Sequence, residues 1–156
     1  MEQPTSQQEH AENTCNRKAV IAHETAHALV AHLIGLGVSS LEINNNSGNV
    51  VFETLAKASY KSQAITYAAG FAGELMVMGP EYLRKTKFSG FKTDSIWINR
   101  LGFTSSEAKA DLVSAALTLL KENQESYQEL QNYLSVTCNS DSIRINGSQL
   151  PLPIMN

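Results

Sequence analysis

The stretch that decides the reading of this chain is VIAHETAHALVA, residues 20–31, where the pentad His23-Glu24-Thr25-Ala26-His27 interrupts an apolar, alanine-rich run. The apolar positions Val20, Ile21, Ala28, Val30, Ala31 and Ile34 recur nearly all round a helical wheel. That pattern predicts a helix from about Asn16 to Ile34, buried on most sides. Gly35 and Gly37 then supply a C-terminal stop. At about 100° per residue, His23 and His27 lie about 40° apart and one turn along, so both imidazoles can reach one ion from the same face. Glu24 is displaced by about 100° from His23, beside such an ion rather than on it, which suits a general base. Zinc lowers the pKa of water bound to it from about 15.7 to about 7, so the spacing carries a hydrolytic mechanism.

An H-E-x-x-H match also arises by chance, and two histidines can simply pack in a core. Context weighs against that here: burying two imidazoles and a carboxylate among Ala, Val, Ile and Leu is costly unless something compensates them. His32 is the nearest further histidine, but nine residues after His23 it points about 180° away. The extended pattern H-E-x-x-H-x-x-G-x-x-H fails as well, with Val30 and Leu33 where it needs glycine and histidine. His10 sits in a polar leader and has no claim. A third ligand must therefore come from farther down the chain, as a carboxylate. Glu74 is the only charged residue after Lys61 in the apolar stretch 61–78, and Asp94 lies beside Ile96, Trp97 and Ile98. Glu42 and Glu53 fall on a hairpin and are expected to be solvated. Spacing alone leaves both Glu74 and Asp94 open.

With 156 residues, the chain is one domain, large enough to bury a core without metal or disulfide staples. Its net charge of -3 is spread along the sequence, which leaves no electrostatic footprint for nucleic acid. Cys15 and Cys138 stand far apart with no C-x-x-C arrangement, which suits a reducing compartment. The start MEQPTSQQEHAENT lacks the features of a signal peptide, and no run of about 18 apolar residues spans a bilayer. The location expected is cytoplasmic.

The strand-like runs LEI and VVFET, separated by residues 44–48, predict a β-hairpin, and KSQAITYAAGFAGELMVM predicts a second buried helix closed by Gly79-Pro80. A short helix is expected from about Thr93 to Leu101. Thr104-Ser-Ser-Glu107 then reads as a capping box opening a long amphipathic helix to about Leu134. The fold class expected is mainly α (α+β): a helical zincin-like peptidase domain with an HExxH helix, one β-hairpin and a long C-terminal helix. It would comprise a flexible leader over 1–13, a metallopeptidase-like domain over 14–140 and an irregular tail over 141–156.

The order of these segments resembles the peptidase domain of the FtsH-type AAA+ zinc proteases. His23-Glu24-Thr25-Ala26-His27-Ala28 is similar to that family's H-E-A-G-H-A, and Ala69-Gly70-Phe71-Ala72-Gly73-Glu74-Leu75 to its G-G-R-A-A-E-E-L. Gly90-Phe91-Lys92-Thr93-Asp94-Ser95 is similar to its G-A-x-x-D-L. The resemblance implies that Asp94 is the third zinc ligand and that Glu74 is a buried support, orienting a ligand histidine or bonding backbone near the metal. Phe71, Gly73, Leu75 and Ala26 depart from the family pattern, and no G-x-x-x-x-G-K-[ST] loop is present.

The function expected is a zinc metallopeptidase holding one Zn2+ ion on His23, His27 and Asp94, with Glu24 as general base. The alternative is a zinc-stabilised, non-catalytic binding or regulatory module. The partners expected are peptides or unfolded protein segments, with no nucleic acid and no membrane; a homo-oligomer or a separate ATPase is left open. Asn49 to Thr54 of the hairpin is the candidate edge for pairing with an extended peptide, and a hairpin that merely caps the core is the equal alternative.

Overall fold

In a computed structural model, the structure describes residues 6–44, 46–85, 90–138 and 142–155. The chain forms helix α1 (Ser6–Leu33), strands β1 (Val38–Asn44) and β2 (Gly48–Phe52), and helices α2 (Tyr60–Met78) and α3 (Pro80–Lys85). Helices α4 (Gly90–Arg100), α5 (Ser106–Glu122) and α6 (Gln124–Thr137) follow, then strand β3 (Ser142–Asn146). The fold is mainly helical, with a small antiparallel sheet, as the segment pattern predicts.

Helix α1 is the axis of the molecule. Every residue from Ala19 to Ala31 is buried, which is why its apolar residues run all round rather than along one stripe. It packs most extensively against α2, and also against α6, α5 and the sheet. The buried face of α2 is built from Ala64, Ala68, Ala69, Gly70, Ala72 and Gly73, and these small residues let the two backbones approach. A main core joins Leu29, Val30, Leu41, Ile43, Leu120, Leu130 and Leu134 around α1. A second cluster of Ala64, Ala68, Ile98 and Leu112 pins α4 to α2 and α5.

Several boundaries differ from expectation. Helix α1 begins at Ser6, so most of the expected leader over 1–13 is helical, while residues 1–5 lie outside the described residues. The cap of α5 is Ser105, whose hydroxyl accepts from the Ala108 amide at 3.0 Å, one residue later than the predicted box. The long C-terminal helix is interrupted once, at Asn123, whose side-chain amide donates to the Leu119 carbonyl at 2.9 Å. An asparagine that bonds the preceding turn in this way competes with helix continuation. The expected irregular tail over 141–156 is corrected: β3 pairs antiparallel with β1, from Ser40 opposite Asn146 to Asn44 opposite Ser142. Burial of Ile145 against the core supplies the reason. The sheet order is β2-β1-β3, which makes β1 central and leaves β2 at an edge. Among the described residues, no helix is long and apolar enough to cross a membrane.

Candidate active site

The pentad lies in the C-terminal half of α1, with its histidines facing α2, and its three polar groups are almost sealed: His23 is 3 %, Glu24 4 % and His27 5 % exposed. Burial at that depth requires partners, and the two imidazoles have them. Glu74, itself buried on α2, places Oε1 2.5 Å from His23 Nδ1. His27 Nδ1–H donates to the Thr66 carbonyl on α2 at 2.7 Å. A neutral ring whose Nδ1 is held as a donor presents the Nε2 lone pair on its other side, so these two contacts set which nitrogen each ring offers once it has given up any second proton.

The Nε2 atoms of His23 and His27 stand 2.9 Å apart, and both meet Asp94 of α4. Asp94 Oδ2 lies 3.0 Å from His23 Nε2 and 3.2 Å from His27 Nε2. Ile98, fully buried one turn after Asp94, anchors α4 in the second core cluster and so fixes where that carboxylate arrives. His23, His27 and Asp94 thus form a cluster able to hold a metal ion, and Glu24, next to His23 on α1, is near enough for the charges of all three to act on it. This is the arrangement of an HExxH-type zinc metallopeptidase active site.

Without a metal, the charges of these groups act strongly on one another. Burial disfavours the His23 cation, yet hydrogen bonds with Asp94 and Glu74 and the charge of Glu24 outweigh it and push its pKa up to about 10. Burial also opposes the Asp94 charge, but the charge of His27 and hydrogen bonds to both histidines hold its carboxyl well below the usual range. In Glu24, burial raises the pKa and the two histidines offset only part of that. Burial likewise raises Glu74, against the hydrogen bond from His23.

Residues 12–83 match the Peptidase M50B-like family. A search of curated proteins finds no match to the chain. The family match corrects the FtsH-type resemblance and the FtsH-like label that went with it. The pentad and a small-residue helix with one glutamate are what close packing around buried ligands demands, so they do not distinguish one zinc peptidase family from another. Of the departures from the FtsH-type pattern, Phe71, where that pattern has arginine, packs its ring against Phe91 of α4 with centroids 4.6 Å apart. Asp94 lies beyond the matched residues, and it is the fold that brings it to the pentad.

Of the other candidates, His32 turns away as the helical angle predicts, and its Nε2–H donates to the Pro153 carbonyl at 2.5 Å. Glu42 pairs across the sheet with Asn49, and Glu53 is exposed. Two contributors had no side-chain signal. Thr66 acts through its carbonyl, and Gly48 sets the β2 backbone against Glu24, where an added Cβ would stand 2.5 Å from Cγ and 3.0 Å from Oε1.

Proposed function

We propose that this chain is a zinc metallopeptidase that holds one zinc ion on His23 Nε2, His27 Nε2 and Asp94 Oδ2, with Glu24 as its general base and Glu74 as the buried partner that orients His23. The observation that carries the reading is the convergence of three donor atoms separated by 2.9, 3.0 and 3.2 Å. Tetrahedral zinc with bonds of about 2.0 Å has neighbouring ligands about 3.3 Å apart, so little adjustment is needed. Two imidazoles and one carboxylate are also a donor set that zinc accepts while keeping a fourth position for chemistry.

Bound zinc supplies a Lewis acid and lowers the pKa of water at that position. The protein's own residues do the rest. Glu24, desolvated and therefore a stronger base than a surface glutamate, would take a proton from the attacking water as its oxygen bonds the scissile carbonyl carbon, and return that proton to the leaving amine as the C–N bond breaks. Glu74 and the Thr66 carbonyl keep the ligand rings in one orientation throughout. The substrates proposed are peptides or unfolded segments extended along β2, which is the sheet edge that starts against Glu24 at Gly48. Backbone pairing at such an edge is largely independent of sequence, leaving selectivity to side-chain pockets. A cytoplasmic setting is part of the proposal, and the buried free thiol of Cys138 suits a reducing compartment.

The test is peptide hydrolysis by wild type and Glu24→Gln at matched zinc content. The variant should keep its zinc and lose about 10²- to 10⁴-fold in kcat, the range that a positioned general base contributes. Equal turnover in the two proteins, or none in either across a broad peptide library, would remove the enzymatic reading.

A further inference from the structure

Gly70 sits on α2 opposite the two ligand imidazoles, and nothing but its backbone separates the helix axis from them. A Cβ built there would overlap His23 at Nε2 and Cε1 outright and would stand 2.5 Å from His27 Nε2. No contact of that kind relaxes cheaply, because both rings are already tethered on their far side, His23 to Glu74 and His27 to the Thr66 carbonyl. Thr66 and Gly70 are also four residues apart on one helix. In that geometry the side chain at the later position stands over the earlier carbonyl, so a bare Gly70 is what leaves the Thr66 oxygen open to His27.

We propose that Gly70 is a positioning residue for the metal site: its missing side chain is the space that lets His23 and His27 bring their Nε2 atoms to Asp94. The neighbouring Gly73 has a different task. A Cβ there would meet the Ala22 carbonyl and the Ala26 Cβ, each at 2.5 Å, and the Tyr127 hydroxyl at 2.9 Å, so it serves the contact of α2 with the α1 backbone and α6. Two glycines three residues apart therefore separate ligand placement from helix packing.

The zinc arm of the test rests on the metallopeptidase reading above, and the stability arm does not. Zinc affinity is measured by chelator competition, and Co2+ loading by visible absorption, on wild type, Gly70→Ala and Gly73→Ala. Gly70→Ala should lose at least about 100-fold in zinc affinity, beyond the loss typical of an outer partner of a ligand, and should lose the tetrahedral Co2+ absorption. Gly73→Ala should lower the thermal midpoint while its folded fraction binds zinc as wild type does.

A thermal-unfolding cycle in metal-free protein then asks whether residue 70 acts through the imidazoles. Gly70→Ala should lower the midpoint in the native background, and in a His23→Ala/His27→Ala background it should leave the midpoint unchanged or raise it. If Gly70→Ala alone fails to fold, the same substitution should fold in that second background, and failure there would overturn the proposal. Zinc affinity of Gly70→Ala within threefold of wild type would overturn it too. A wild type that binds no zinc would instead sink the metallopeptidase reading, leaving the cycle to decide the role of Gly70.

Discussion

Where α1 meets α2, the imidazoles of His23 and His27 are tied to Glu74 and to the Thr66 carbonyl; where α1 meets the hairpin, Glu24 lies against the backbone of Gly48. Among the described residues its carboxylate accepts no hydrogen bond. The contrast matches the roles proposed for each group. A metal ligand must hold one tautomer and one direction, and a buried hydrogen-bonded partner provides both. A general base must gain and lose a proton, and a hydrogen bond to its anion would lower its pKa and its reactivity. Burial raises the pKa of Glu24 instead, and the charges of His23 and His27 offset only part of that. The α2 flank is built for fixity and the hairpin flank for exchange.

The largest effect that would break this picture lies at the third member of the cluster, on α4. Asp94→Ala removes a donor atom from the cluster and should lower zinc affinity by more than the roughly 10- to 100-fold typical of losing an outer partner, measured by chelator competition. Affinity equal to wild type would show that the carboxylate of α4 is only a neighbour. Glu74→Gln should fall inside that range of about 10- to 100-fold, because an amide can still face His23 Nδ1 but carries no charge to strengthen the ring as a ligand. If the two variants behaved alike, the division between ligand and support would have to be redrawn.

The parts of this site that could be read in the sequence are those set by local geometry. His23, Glu24 and His27 belong to one helix, and a fixed angle per residue fixes their relation, just as it removed His32. Asp94 and Glu74 stand 67 residues from His27 and 51 from His23, and spacing left them as equals; only the packing of α2 on α1 and of α4 on α2 brings one into the cluster and the other behind it. The Thr66 carbonyl and the backbone of Gly48 act without side chains, so no residue type announced them; the glycines of KSQAITYAAGFAGELMVM signal close helix approach, but not that Gly70 faces the two imidazoles. Strand β3 did carry a signal in the alternation of Ile143, Arg144 and Ile145, but five residues with a partner about a hundred positions away give little weight by themselves. The family was misread because small residues and a lone glutamate on a helix express a packing demand shared by different zinc peptidases.

The smallest expected effect sharpens the comparison through pH. In metal-free protein the pKa of His23 is raised from 6.5 to about 10, so its contribution to stability is full below 6.5 and is lost as pH rises through about 10. Raised values at Glu24 and Glu74 act in the same direction, since each favours the fold while protonated. The depressed Asp94 acts oppositely, adding stability above 3.8 that is lost as pH falls further. The thermal midpoint of the metal-free protein should therefore decline between pH 6.5 and 10. Zinc binding should run the other way, because each ion must displace the His23 proton: affinity should climb roughly tenfold per pH unit over the same interval. A flat affinity would mean that His23 is neutral before zinc arrives, and that the bond to Glu74 orients the ring without holding a charge on it. Opposite slopes with and without metal would place the exchangeable proton of the α2 flank on a ligand, released once on loading, and leave the proton that cycles in turnover to Glu24.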